Sequence, residues 1–338
     1  MSGPARLEGK NDVYEVMQPE PVILGRLAVF FAARRVSDNR PLLIKSFRDF
    51  DSADPSISSF YREIEALLKL HHPNILEILD YSPGTGVGSP PFLVLPWCKG
   101  GNLTAMQRQG GFAPLEVAIP FLRQIAAAID YAHQHGVIHG DIKPQNVLLS
   151  ADGREAYLAD FGMAKYFEVT DRVVSAEFVE GTSAYLSPEQ LSDNRQTPRS
   201  DIYSFGVLAY QLLTGRLPYD IAAPLYRQTH ARVTGNIADP RDTNPAISET
   251  ARAALLNALA VVPADRPRTA TEFCDMLMGL QPAKRLQASA KKDKRTLSEL
   301  WKDLDSAGKT AVITAAIAAS AAIVVALVQI IPVLLGKK

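Results

Sequence analysis

Cysteine is nearly absent: only Cys98 and Cys274 occur in 338 residues, far apart and without metal-ligand spacing. That excludes a disulfide framework and a cysteine-based zinc site, and it fits a reducing compartment. An excess of either charge is absent too, since 36 basic residues balance 36 acidic ones. A formal charge of zero exerts no global pull on nucleic acid, so none is expected as a partner. The opening segment, Met1 to Glu20, lacks the apolar core of a signal peptide. It reads as a polar leader, residues 1–20, and the domain behind it is expected to stay in the cytoplasm. An uncharged stretch long enough to cross a bilayer is also missing until the far end, where Thr310 to Gly336 carries no charged residue at all. What remains, 47% hydrophobic and 21% charged, is an ordinary globular composition with length for two lobes.

Apolar spacing supplies the coarse elements. Pro21 to Ala33 and Leu42 to Phe47 are rich in Val, Ile, Leu and Phe, and Asp38-Asn39-Arg40-Pro41 separates them as a turn, so they predict a β-hairpin with Lys45 inside its second strand. Ile57, Phe60, Ile64, Leu67 and Leu68 recur at helical spacing, with Glu63 near the middle of that helix and Glu65 beside it. Phe92 to Leu95 predicts a buried strand that leaves through Pro96-Trp97-Cys98-Lys99-Gly100-Gly101. Leu122, Ile125, Ile129 and Ala132 share one face of a helix over 115–135, which Gly136 closes. His133 and His135 near its end read as cations suited to a helix C-terminus, because no carboxylate or cysteine cluster accompanies them. Helical spacing returns from Thr250 to Leu280.

The chemistry concentrates in His139-Gly140-Asp141-Ile142-Lys143-Pro144-Gln145-Asn146, followed by Val147-Leu148-Leu149. A carboxylate that takes a proton from an attacking hydroxyl, and an amide that holds a metal on the same phosphate, must both be fixed near the reacting atoms. A loop anchored by a helix and a strand can do this. Further on come Asp160-Phe161-Gly162 after a short apolar strand, Gly181-Thr182-Ser183-Ala184-Tyr185, Ser187-Pro188-Glu189, Asp201-Ile202-Tyr203-Ser204-Phe205-Gly206 and Asp265-Arg266-Pro267.

In this order and spacing the motifs resemble those of eukaryotic-type Ser/Thr protein kinases, as found in bacteria, over roughly residues 20 to 281. The resemblance implies an α+β, two-lobed kinase fold: a small β-rich lobe over 21–95 and a larger helical lobe over 99–281, with a hinge at Pro96 to Cys98. It implies ATP with magnesium or manganese, and protein Ser or Thr as acceptor. By the same resemblance Asp141 orients the hydroxyl, Lys143 neutralises developing charge, and Asn146 and Asp160 bind metal. Lys45 would hold the phosphates under the control of Glu63, or of Glu65 as fallback. Leu24, Gly25 and backbone groups of Pro96 and Cys98 would contact the nucleotide, and Thr182 would belong to the substrate-facing loop. Asp201 would brace the catalytic loop, and Arg266 would pair with Glu189. Two departures stand out. Gly140 replaces the family's Arg before the Asp, which makes this a non-RD variant. The glycine-rich turn, Leu24-Gly25-Arg26-Leu27-Ala28-Val29-Phe30-Phe31, is shortened to one glycine, which weakens the expected grip on phosphate.

Residues 282–309 form a polar linker carrying Lys284, Arg285, Lys291, Lys292, Lys294 and Arg295. This basic linker suits anionic lipid, and 310–336 suffices for one transmembrane helix. Ala311, Ala315 and Ala319, and Ala318, Ala322 and Ala326, recur at spacing four and would let two such helices approach as a homodimer. Two other readings stay open: a scaffold with a kinase fold and little turnover, and a small-molecule phosphotransferase, whose relatives also carry His-Gly-Asp.

Overall fold

The computed structural model describes residues 5–18, 20–24, 28–47, 64, 67–84, 90–104, 111–161, 183–193, 195–220, 222–223 and 225–283. All belong to one structural unit, Met1–Arg285; the second, Leu286–Lys338, lies outside the described residues, and the expected membrane segment 310–336 with it. Among the described residues no helix is long and apolar enough to cross a membrane.

The first lobe is a seven-stranded antiparallel sheet of β1 (Arg6–Glu8), β2 (Val13–Val16), β3 (Ile23–Leu24), β4 (Ala28–Arg35), β5 (Pro41–Phe47), β6 (Asp80–Ser82) and β7 (Phe92–Pro96). The spatial order is β1-β2-β4-β5-β7-β6, with β3 paired to β4 as a short edge. The expected hairpin is β4 and β5, and Asn39 adopts φ 59° in its turn, a conformation that Asn tolerates better than most residues. Alternation along the strands sends Leu42, Ile44, Phe92 and Val94 to one face with Tyr14 and Ala33, and Phe47, Leu93 and Leu95 with Ala28 to the other. The second face is continuous with the core of the helical lobe, so Lys45, on the same side, looks toward that lobe.

The polar-leader reading of 1–20 needs correcting, because β1 and β2 lie within it and join the sheet. Tyr14 and Val16 alternate inward while Glu15 pairs across the strands with Arg34 at 2.6 Å. The buried carboxylate of Asp80 fastens the hairpin, accepting from the Tyr14 hydroxyl at 2.8 Å and from the backbone and side-chain nitrogens of Asn11, each at 3.1 Å. Ile64 and Leu67 are helical and buried as their spacing predicts; Glu63 and Glu65 lie outside the described residues.

The second lobe is built on α1 (Leu115–Gln134), α2 (Pro188–Asp193), α3 (Pro198–Thr214), α4 (Leu225–Val233), α5 (Pro240–Thr243), α6 (Glu249–Ala258) and α7 (Ala270–Leu277). α3 is buried almost all round, the signature of a helix at the centre of a domain. Its Phe205 meets Phe273 of α7 edge-on, with ring centres 5.5 Å apart. α1 buries Leu122, Ile125, Ile129 and Ala132, and Asp130 on its flank caps α7 by accepting from the backbone nitrogens of Ala270 and Thr271 at 2.7 and 2.9 Å. α1 thus delivers the chain into the loop that precedes β8 (Val147–Leu149), which pairs antiparallel with β9 (Ala156–Leu158).

Candidate active site

Pro144 starts a 3-10 turn over Pro144–Asn146, and this turn brings Asn146 back over Asp141. Asn146 Nδ2 donates to the Asp141 carbonyl at 2.8 Å and to Asp141 Oδ2 at 2.9 Å. Lys143 Nζ reaches the same Oδ2 at 2.7 Å. One carboxylate oxygen of Asp141 is therefore held, and Oδ1 has no partner among the described residues. With its nitrogen engaged twice, Asn146 presents Oδ1 as its remaining acceptor.

His139 is buried against Phe161, with ring centres 4.5 Å apart. Its Nε2 lies 3.0 Å from the Ala159 carbonyl, which can only accept, and the Asp141 backbone N–H donates to its Nδ1 at 3.2 Å. Both contacts require the neutral ring with the proton on Nε2. Burial lowers the pKa of His139 and outweighs the opposing pull of Asp201, Asp141 and Asp160.

Asp201, on α3 and 1% exposed, accepts from the backbone nitrogens of His139 and Gly140, both at 2.8 Å. His133 Nε2 lies 2.7 Å from the same carboxylate. Gly140 adopts φ 77°, where only glycine sits without strain. Asp160 adopts φ 60° two residues past the end of β9, an uncommon region for a residue other than glycine. Its Oδ1 pairs with Lys45 Nζ at 2.7 Å. The enclosed cleft works to raise the pKa of Asp160, but the charge and hydrogen bond of Lys45 outweigh it, and the carboxyl ends up below its usual range.

Lys45 thus pairs with Asp160, Asp141 gathers Lys143 and Asn146, and the two groups meet at Ala159, whose N–H donates to the Asn146 carbonyl at 2.8 Å. The carboxylate that Lys45 meets is Asp160; Glu63, the expected partner, lies outside the described residues, as do Gly25 and Thr182. Leu24 stands at the edge, 70% exposed. Pro96 ends β7 and Cys98 follows it, and both border a separate recess of about 490 Å³, with Ile75, Leu76, Trp97 and Tyr157 among its walls. Burial raises the pKa of the Cys98 thiol, which makes it a poor nucleophile at neutral pH. Glu189 and Arg266 form a double hydrogen bond at 2.7 and 2.8 Å, with the guanidinium fully buried over the Tyr203 ring. Sequence reasoning missed His133 as a partner of Asp201, because 68 residues separate them and nothing local marks the contact.

A β-rich lobe and a helical lobe that place a lysine, two carboxylates and an amide in one cleft define the class: a phosphoryl-transfer fold of two lobes. The protein kinase domain model matches residues 24–294, and the chain belongs to that family. It is similar to the serine/threonine-protein kinase PknB of Mycobacterium leprae, with 30% identity over 275 residues, covering 81% of this chain and 43% of that protein. The serine/threonine-protein kinase pkn3 of Myxococcus xanthus is 30% identical over 290 residues, covering 83% of this chain and 53% of that protein. The chain therefore spans about half the length of these relatives or less. Among solved structures, the Mycobacterium tuberculosis PknI kinase domain superposes with TM-score 0.62 at 25% identity, covering 79% of this chain and 96% of that one. Rad53 in complex with AMP-PNP superposes with TM-score 0.64 at 25% identity, covering 78% and 65%.

Proposed function

We propose that this protein is an ATP-dependent protein kinase that transfers the γ-phosphoryl group to Ser or Thr of protein substrates, and that its C-terminal segment ties it to a membrane. The observation that carries the catalytic reading is the carboxylate of Asp141: Lys143 and Asn146 fix Oδ2, and Oδ1, which no described residue engages, would accept the proton of an incoming hydroxyl. Lys143 is then positioned to offset charge on the transferred group. Lys45 would hold the phosphates. The oxygens of Asn146 and Asp160 are hard donors that suit magnesium or manganese, and a metal there would neutralise phosphate charge. The short β3–β4 connection, from Leu24 to Ala28, favours a second reading as a scaffold with little turnover. Radiolabelled ATP offered to the full chain, with Asp160→Ala as blank, separates the two. Incorporation above the blank on protein Ser or Thr supports the kinase, and label found only on small alcohols supports a small-molecule phosphotransferase.

The membrane reading rests on the uncharged stretch 310–336 behind a basic linker. A chain that stays in the pellet after alkaline carbonate washing supports it, and release by that wash overturns it. Homodimerisation through the alanines at spacing four depends on that reading, and Ala315→Ile with Ala322→Ile should weaken self-association in detergent.

A further inference from the structure

Lys45 stands directly across from Phe30 of β4, and side chains of a cross-strand pair project from the same face of the sheet. Phe47, two residues further along β5, shares that face. The Lys45 ammonium lies 5.7 Å from the centre of the Phe30 ring and 5.5 Å from that of Phe47. Both distances fall within the roughly 6 Å over which a ring face attracts a cation. Lys45 is only 8% exposed, so water screens this attraction weakly. Phe47 is buried, whereas Phe30 is half-buried and packs against the same core.

The neighbouring turn makes this bracket matter. β3 ends at Leu24 and β4 begins at Ala28, with Leu24 paired to Val29, which leaves little chain to fold over a triphosphate. We propose that Phe30 and Phe47 form an aromatic bracket that positions the Lys45 ammonium, and that nucleotide grip in this chain comes from the bracketed lysine in place of a phosphate-covering turn. The inference rests on the assignment of Lys45 to the nucleotide phosphates. In this arrangement the rings limit where the ammonium moves when it exchanges Asp160 for phosphate. Phe30 is a positioning residue, acting through Lys45.

A double-mutant cycle on the full chain tests this, with binding of ADP and magnesium read by titration calorimetry and folding checked by circular dichroism. Phe30→Leu keeps the apolar bulk and removes the ring face, and is expected to weaken binding roughly three- to tenfold. Phe30→Tyr should restore binding relative to Phe30→Leu. In a Lys45→Met background Phe30→Leu should add no further loss. Equal losses in both backgrounds would show the ring acting on the nucleotide directly and overturn the bracket, as would unchanged binding in Phe30→Leu. If Phe30→Leu does not fold, Phe30→Met carries the same cycle. Unchanged binding in Lys45→Met alone would remove the lysine assignment and the bracket together, a result distinct from loss of coupling.

Discussion

The side-chain amide of Gln196 occupies the space that a side chain at Gly140 would need: a Cβ there would lie 2.7 Å from Gln196 Oε1. Gly140 also holds φ 77° while its N–H donates to Asp201. The positive φ is the main cost to a larger residue, about 1–2 kcal/mol for an L-residue in this region. The Gln196 amide is the far end of a flexible side chain and can swing aside at little cost. Gly140→Ala should lower stability by about 2 kcal/mol and reduce turnover, because Asp141 follows directly. Gly140→Ala combined with Gln196→Ala should stay within about 0.5 kcal/mol of Gly140→Ala, because the strain remains and the amide was free to move. Urea unfolding of the single and double variants measures the difference.

The same position gives an expectation for how the proposed kinase activity is controlled. With glycine before Asp141, the loop has no cation at that point to pair with a phosphorylated segment between Met163 and Ser187. Thr170→Ala with Ser175→Ala is accordingly expected to retain most of the activity of the unaltered chain in an initial-rate assay on a generic protein acceptor. Loss of activity in that variant, with recovery by acidic residues at both positions, would contradict this.

Asp201 connects α3 to the catalytic loop through the backbone N–H groups of His139 and Gly140 at 2.8 Å, and to α1 through His133 at 2.7 Å. Removing a buried acceptor leaves its donors without partners, a cost that grows with their number. Asp201→Ala should destabilise the fold by about 3 kcal/mol or more. Asp201→Asn, which keeps one acceptor oxygen, should fall between. His133→Ala removes only one of the three contacts and should cost less than either. Thermal unfolding followed by circular dichroism ranks the three.

How far the sequence reveals this site depends on what each residue contacts. Asp141, Lys143 and Asn146 lie within one short loop, so their spacing carries their geometry, and the proline that starts the 3-10 turn is visible as well. Glu189 and Arg266 are 77 residues apart and were legible only because the motifs around each resemble a known family. Gln196 and His133 carry no such mark. Their contacts exist because α3 and its N-terminal approach pass beneath the loop, a fact of tertiary packing. The N-terminal hairpin was not legible and 1–20 read as a polar leader: Tyr14 and Val16 are buried on either side of Glu15, but apolar Val13 and Met17 blur the alternation, and β1 has no buried residue at all.

The Arg266 guanidinium is fully buried and donates to both oxygens of Glu189, and also to the carbonyls of Ala260, Val261 and Arg199. Burial works to raise the pKa of Glu189, and the hydrogen bonds and charge of Arg266 hold it below its usual range. Such a pair contributes little beyond an apolar replacement, but losing one partner costs about 3–5 kcal/mol. Glu189→Ala should therefore destabilise more than Glu189→Ala with Arg266→Met. Arg266→Lys should fail to restore stability, since a single ammonium cannot supply the planar fork. Denaturant midpoints for the three variants and the unaltered chain test both expectations.

His139 gives the fold a pH dependence whose sign is set by its surroundings. Burial lowers its pKa in the folded protein, and protonation at Nδ1 would set an N–H against the Asp141 N–H that now donates there. The unfolded chain has no such restriction and takes up a proton near the ordinary value of about 6.5. Above that pH neither state is protonated and the contribution of His139 is complete. As pH falls below about 6.5 the unfolded state gains a proton that the folded state resists, so stability declines until the lowered folded pKa is passed. His139→Asn lacks this proton linkage. The stability gap between the unaltered chain and His139→Asn should be widest at pH 7.5 and should narrow steadily toward pH 5.5 in urea titrations. A constant gap across that range would show that His139 does not titrate differently in the two states.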